Sequence, residues 1–313
     1  VALRIVFCGT PAFALPSLRH LVAQPDLRVE TVITQPDRPS GRGGEISVPP
    51  VKNFAKESGI PVFQPEKIKS DAAYEFVRQL APDVVVIIAY GQIISRRLLD
   101  IPRLGWVNVH ASLLPKYRGA APINWAIVNG EARTGVTTMQ VTAGLDAGPV
   151  LLTSETAIAP DETAPELTAR LSEMGAPLIV ETLRSLASGT ITAQPQDDSQ
   201  ATLAPLLKKE DGRIDWSQPA QVIYNRIRGL QPWPGAFTTF RGKTCHIWGR
   251  PASRTKTSAP AGEIAATREG LAVTCGGGTV LGVEFVQLEG RKRVSAREFV
   301  SGARLSEGER FGS

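Results

Sequence analysis

Asn108 and His110 stand two residues apart in the stretch Asn108–Pro122, NVHASLLPKYRGAAP. An amide NH2 and an imidazole N–H can both donate to one oxygen as it gains negative charge. The imidazole can also take or give a proton near neutral pH. A β-strand aims such a pair together, because residues i and i+2 share a face. Trp106, Val107 and Val109 favour a strand. It would put Asn108 and His110 on one face and Val107 and Val109 on the other. Ser112, Pro115, Gly119 and Pro122 then break the strand. The polar pair therefore lies near the C-terminal end of a strand, where open α/β sheets bind ligands. An isolated pair of this kind also fits a plainer role, an amide closing a strand end and a histidine in the core. Asp146, between Gly144 and Gly148, is an acid in a loop whose glycines let backbone approach a ligand. Alone it reads equally as a turn former.

The elements that must hold these residues begin with a βαβ opening. Leu3–Cys8 is an apolar strand, Leu15, Leu18, Leu21 and Val22 have helical spacing, and Val29–Thr34 is a second strand. The turn after the first strand, Gly9-Thr-Pro-Ala-Phe, lacks G-x-G-x-x-G, which argues against NAD or FAD. Residues 35–50, QPDRPSGRGGEISVPP, read as a long proline- and glycine-rich loop that carries Arg38 and Arg42. Asp71 is expected to cap a helix with apolar Ala73, Phe76, Val77 and Leu80. Val84–Ala89 reads as a central strand buried on both faces, with Tyr90 and Gly91 at its end. A long helix from Asp161 or Thr163 stops at Gly189, with Gly175–Pro177 expected to kink or split it. Thr190–Pro205 reads as a linker.

Beyond it, a helix carrying Val222, Ile223 and Ile227 precedes a hairpin signal, Ala236–Phe240 and Lys243–Trp248 around Arg241-Gly242. Three more short strands follow, and Ser295-x-x-Glu298 opens a last helix. Several short strands suit a small barrel. The charge is uneven: residues 1–205 carry 18 Lys and Arg against 20 Asp and Glu, and residues 206–313 carry 17 against 10. A basic C-terminal third suits a polyanionic partner or a solvated basic face. No apolar run is long enough to span a membrane. The amino terminus lacks a signal-peptide layout, and Cys8, Cys245 and Cys275 are single, as in a reducing cytoplasm. His20, His110 and His246 are scattered, so no metal set is expected. No G-x-S-x-G elbow marks Ser112 as a nucleophile.

Asn108-x-His110 followed by Ser112-Leu-Leu-Pro115 and Arg118-Gly-Ala-Ala-Pro122 resembles the signature of folate-dependent formyltransferases, most fully the branch that acts on methionyl-tRNA. The resemblance runs over nearly the whole chain. It implies an α/β fold with a Rossmann-like, mostly parallel sheet in an N-terminal catalytic domain, 1–189, a linker, 190–205, and an OB-like β-barrel domain for tRNA, 206–313. It implies Asn108, His110 and Asp146 as the catalytic set. Ser112, Leu113, Leu114 and Pro115, with Tyr90 and Gly91, would line the site for the co-substrate 10-formyltetrahydrofolate. Arg42 falls where the family's loop arginine enters the acceptor stem of initiator tRNA, with Arg38 beside it, although Gly44 and Glu45 stand where lysines are common. Arg291, Lys292 and Arg293 are further candidates for tRNA; a solvated turn fits them as well. A monomer without metal or membrane association is expected. Rival readings are formyltransferases acting on a glycinamide ribonucleotide or a nucleotide sugar, a 10-formyltetrahydrofolate hydrolase, and a non-catalytic RNA-binding protein.

Overall fold

The computed structural model describes residues 2–40, 45–252, 257–268 and 270–312. The backbone gathers into two units. One comprises Val1–Pro122, Arg133–Ala157 and Thr168–Pro205; the other comprises Ile123–Ala132, Ile158–Leu167 and Leu206–Ser313.

In chain order the elements up to residue 205 are β1 (Leu3–Gly9), α1 (Leu15–Val22), β2 (Leu27–Ile33), β3 (Arg38–Ser40), β4 (Glu45–Ser47), α2 (Pro50–Glu57), β5 (Val62–Phe63), α3 (Asp71–Leu80), β6 (Val84–Ile88), α4 (Arg96–Leu99), β7 (Trp106–His110), β8 (Arg118–Gly119), α5 (Pro122–Val128), β9 (Arg133–Gln140), β10 (Val150–Ala157), α6 (Ala164–Ser188) and β11 (Leu203–Ala204). The main sheet of the first unit has the order β10-β9-β7-β6-β1-β2-β5. The five strands from β7 to β5 are parallel, and β9 and β10 run antiparallel at the edge. The chain moves outward from β1 through β2 to β5 and returns to β6 on the other side of β1. Such a reversal is where sheets of this kind open a ligand crevice. The β6 residues Val84, Val85, Val86 and Ile88 are fully buried, as a strand covered on both faces requires.

Helix α6 packs on the face of the sheet opposite the polar pair. A Cβ at Gly175 would lie 3.0 Å from Cγ1 of Val109 and 3.5 Å from Cγ1 of Val136, so glycine lets helix and strands approach closely. The helix is continuous through Pro177 rather than split there. Burial of Leu171, Ala176, Ile179 and Leu183 outweighs the one backbone hydrogen bond that proline forfeits. Helix α3 is capped by Ser70, whose Oγ accepts from the Ala73 N–H, and Asp71 is its first residue instead of its cap. The flanks of the 35–50 loop pair as a small antiparallel ribbon, β3 with β4, where the sequence reads as structureless. Extended proline backbone fits the edge of a two-stranded ribbon.

The second unit holds α7 (Ala220–Gly229), β12 (Phe237–Phe240), β13 (Lys243–Pro251), β14 (Ile264–Thr267), β15 (Gly270–Thr274), β16 (Val280–Leu288), β17 (Val294–Ser295) and α8 (Ala296–Ala303). Its antiparallel sheet runs β12-β13-β16-β15-β14, with β17 on β16. The last residues bridge the two edges. Ile264 N–H donates to the Glu309 carbonyl and Phe311 N–H to that of Gly262, at 2.9 Å each, while Gly312 N–H donates to that of Thr239 at 2.9 Å. Inside, Ile223 and Ile227 of α7 meet Cys245, Ile247, Val273, Leu281 and Val286. Ser295 and Glu298 form the expected capping box of α8. Cys8, Cys245 and Cys275 are buried free thiols, and burial pushes the Cys245 thiol up to about 12.

Candidate active site

Strand β7 puts Asn108 and His110 on one face, as its alternation requires, and both meet Asp146. Asn108 Nδ2 lies 3.5 Å from Asp146 Oδ1. His110 Nδ1 lies 3.7 Å from Asp146 Oδ2. His110 is 6% exposed. Its Nε2 is 2.9 Å from the Tyr117 carbonyl, which can only accept, so Nε2 carries a hydrogen and donates it. That fixes the ring and leaves Nδ1 on the Asp146 side.

Asp146 is reached by a loop, not a strand. Its φ is +46°, and Tyr117 has φ +60°. Such left-handed backbone at non-glycine residues costs about 1–2 kcal/mol each and persists only where neighbours enforce it. The neighbours are present. The Gly119 N–H donates to Asp146 Oδ2 at 2.9 Å. Gln196 Nε2 donates to the carbonyls of Asp146 and Gly148 at 2.8 and 2.7 Å. Gln196 Oε1 accepts from Nε and Nη2 of Arg118 at 3.0 and 2.8 Å. The buried Arg118 guanidinium also pairs with Asp198 at 2.7 Å. On the Tyr117 side, Thr202 Oγ1 accepts from the Tyr117 N–H at 2.9 Å and the Thr202 carbonyl from the Arg118 N–H at 2.8 Å. Residues 190–205, expected as a linker, are thus fastened to the first unit. Strand β11 pairs with β8, and Gln194 bridges Val150.

The turn Ser112–Pro115 is pinned by β9. Thr137 Oγ1 donates to the Ser112 carbonyl at 2.7 Å and accepts from the Leu114 N–H at 3.3 Å. Ser112 is buried and gives its hydroxyl to the Lys116 carbonyl at 2.6 Å, so it closes the turn and is no free nucleophile. Leu113, Leu114 and Pro115 are half-buried. Tyr90 turns its ring into the core beside Val6, Cys8 and Trp106, where burial pushes its hydroxyl pKa up. Its carbonyl accepts from Gln35 Nε2 at 3.0 Å. Gly91 follows with φ +86°. Ile93 and Leu145, each in a loop, are 88% and 67% exposed.

Arg38 is exposed on β3 and pairs with Glu66 at 3.2 Å. Arg42 lies outside the described residues. Arg291, Lys292 and Arg293 are exposed in the second unit. The Arg293 guanidinium lies over the Trp248 ring at 4.3 Å and the Phe285 ring at 4.1 Å. Among the described residues no group of three or more His, Cys, Asp or Glu side chains could hold a metal ion. No described helix is long and apolar enough to cross a membrane. Sequence reasoning missed Tyr117, Gln196 and Thr202. The first acts through its main chain, and the other two sit among Gln, Asp, Ser and Pro that read as linker.

A mixed, parallel-dominated sheet with an Asn–His–Asp cluster at its carboxyl edge, in a chain that carries a separate antiparallel-sheet unit, is the frame of a group-transfer enzyme. Residues 3–183 match the family model described as formyl transferase, and residues 206–304 the one described as formyl transferase, C-terminal domain. The chain belongs to the formyl transferase family. It is 55% identical over 311 residues, 99% of each chain, to a methionyl-tRNA formyltransferase of Solibacter usitatus. Among solved structures, the fold is shared with the sugar 3N-formyl transferase WlaRD, at TM-score 0.67 and 16% identity over 93% of this chain and 100% of that one. It is shared also with HypX from Aquifex aeolicus, solved in complex with tetrahydrofolic acid, at TM-score 0.62 and 16% identity. That match covers 99% of this chain and about half, 49%, of HypX.

Proposed function

We propose that the chain transfers the formyl group of 10-formyltetrahydrofolate to the α-amino group of methionine on initiator tRNA, in the cytoplasm, giving N-formylmethionyl-tRNA for translation initiation. The observation that carries this reading is the convergence of Asn108 and His110 on Asp146, in a chain alike from end to end to a methionyl-tRNA formyltransferase. The folate supplies a formyl carbon activated on nitrogen. The main chain at Tyr90 and Gly91 and the turn Ser112, Leu113, Leu114 and Pro115 would hold it. The exposed apolar side chains of Ile93 and Leu145 suit a flat heteroaromatic ring.

The methionine amine adds to the formyl carbon and a tetrahedral intermediate forms. Asn108 Nδ2 donates to its oxyanion, and one such donor is worth about 2.7–4 kcal/mol. His110, with Nε2 committed to Tyr117, presents a proton on Nδ1 to the same oxygen. Asp146 keeps that proton in place and takes the amine proton as the C–N bond forms. The oxyanion then collapses, the bond from the formyl carbon to the folate nitrogen breaks, and the proton taken by Asp146 passes to that nitrogen as it leaves. Arg38 and Arg42 on the loop, and Arg291, Lys292 and Arg293 on the second unit, supply positive charge for tRNA phosphates. Arg293, held over the Trp248 and Phe285 rings, keeps its donor edge fixed for a phosphate.

The test is formyl transfer to methionyl initiator tRNA, with methionyl elongator tRNA, a glycinamide ribonucleotide and an amino sugar nucleotide as rival acceptors. Transfer to initiator tRNA alone is expected. Activity confined to a small amine, or release of free formate, would overturn the acceptor.

A further inference from the structure

We propose that the strap 194–204 is a positioning element of the active site, with Gln196 acting through Asp146 and Thr202 acting through Tyr117 on His110; this rests on the formyl-transfer reading above. Gln196 uses its whole amide. Both donors go to the carbonyls of Asp146 and Gly148, and the acceptor takes two N–H groups of the buried Arg118. It therefore holds the left-handed backbone of Asp146 from behind. The carboxylate is held in front by the Gly119 N–H. Gly119 in turn pairs with Ala204 of the strap, so closely that a Cβ there would come within 2.6 Å of the Ala204 carbonyl oxygen. Tyr117, also left-handed, offers the carbonyl that orients His110, and its own N–H is held by Thr202 Oγ1. One short segment thus fixes two residues with left-handed backbone, and both touch His110.

Gln196→Glu separates positioning from mere support. The variant keeps its pairing with Arg118 and cannot donate to the two loop carbonyls, while Gln196→Ala loses both. Positioning predicts that Gln196→Glu lowers kcat about 10- to 100-fold, with KM for methionyl-tRNA and the thermal midpoint near wild type. Gln196→Ala should lower kcat by a similar factor. Thr202→Val should lose kcat and Thr202→Ser should regain it. The Gly119 amide, read by hydrogen exchange without substrate, should exchange faster in Gln196→Glu. A Gln196→Glu enzyme with wild-type kcat and wild-type protection of Gly119 overturns the inference. So does a kcat loss that follows the thermal midpoint alone. If the wild type formylates no tRNA, the proposed function falls, and Gly119 exchange still decides the role of Gln196.

Discussion

Asn108 and His110 stand on a strand; Asp146 and Tyr117 stand on loops with left-handed backbone. The strand residues owe their shared direction to the β7 ladder, whose partners β6 and β9 flank it on both sides. Asn108 needs no further tie to aim it, and the His110 ring takes one more, to the Tyr117 carbonyl. The loop residues need several: the Gly119 N–H, the Gln196 amide and the Thr202 hydroxyl. In the proposed mechanism the strand half donates to the oxyanion and the strapped half takes the amine proton. Removal of a side chain should cost chemistry in either half, whereas a change in backbone freedom should cost only the strapped half.

The largest effect is expected at the proton-handling residue. Asp146→Ala should lower kcat about 10²–10⁴-fold with little change in the denaturation midpoint, since Asp146 sits in a loop. Coincident loss of fold, seen by circular dichroism, would break the comparison. Asn108→Ala should cost about 10²–10³-fold in kcat, and the β7 ladder should hold its neighbours in place. Single-turnover rates with saturating folate would check this, and an undiminished rate would remove Asn108 from the oxyanion. Gly119→Ala tests the backbone itself. Gly119 has φ +122°, and the added Cβ would approach the Ala204 carbonyl oxygen to 2.6 Å. The strain should cost about 1–3 kcal/mol of stability and reduce kcat by displacing Asp146, with folate affinity little changed. Urea titration and equilibrium folate binding read the two effects separately.

The same division marks what could be read from sequence. The period-two pattern over Trp106–His110 is local and was enough to place Asn108 and His110 on one face. The apolar run of β6 and the βαβ opening are equally local. Asp146 could be singled out only through the family pattern, because an acid between glycines has no local feature that says where it points. Gln196 and Thr202 were out of reach. Their partners lie 50 and 85 residues away, and their composition is that of a solvated linker. The Tyr117 carbonyl is main chain, which residue identity does not report. Pro177 and Asp71 depart from local propensity in another way: of the kink or split expected at Pro177 the helix shows no split, and the neighbouring Ser70 takes the cap expected of Asp71.

The second unit repeats the contrast between ladder and strap in weaker form. Its ladder strands are joined at the edges by the tail Glu309–Gly312, and Glu309 is tied by Oε1 and Oε2 to Arg241 in the β12–β13 turn, at 2.5 and 2.9 Å. Hydrogen bonding from Arg241 holds the Glu309 carboxyl below the usual glutamate range. A carboxyl lowered on folding stabilises above its unfolded pKa, and that contribution is lost as pH falls through its folded one. The Arg241 side chain is about half exposed, at 49%, so solvent screens the pair and its contribution should be small. Glu309→Gln keeps the shape and removes the charge. Its urea midpoint should fall slightly below wild type at pH 7, and the gap should close as the pH drops below the glutamate range. Formylation kinetics should not change. A gap that persisted in acid would mean that the tail is held by its backbone bonds and the shape of the side chain, and that the charge contributes nothing to closing the sheet.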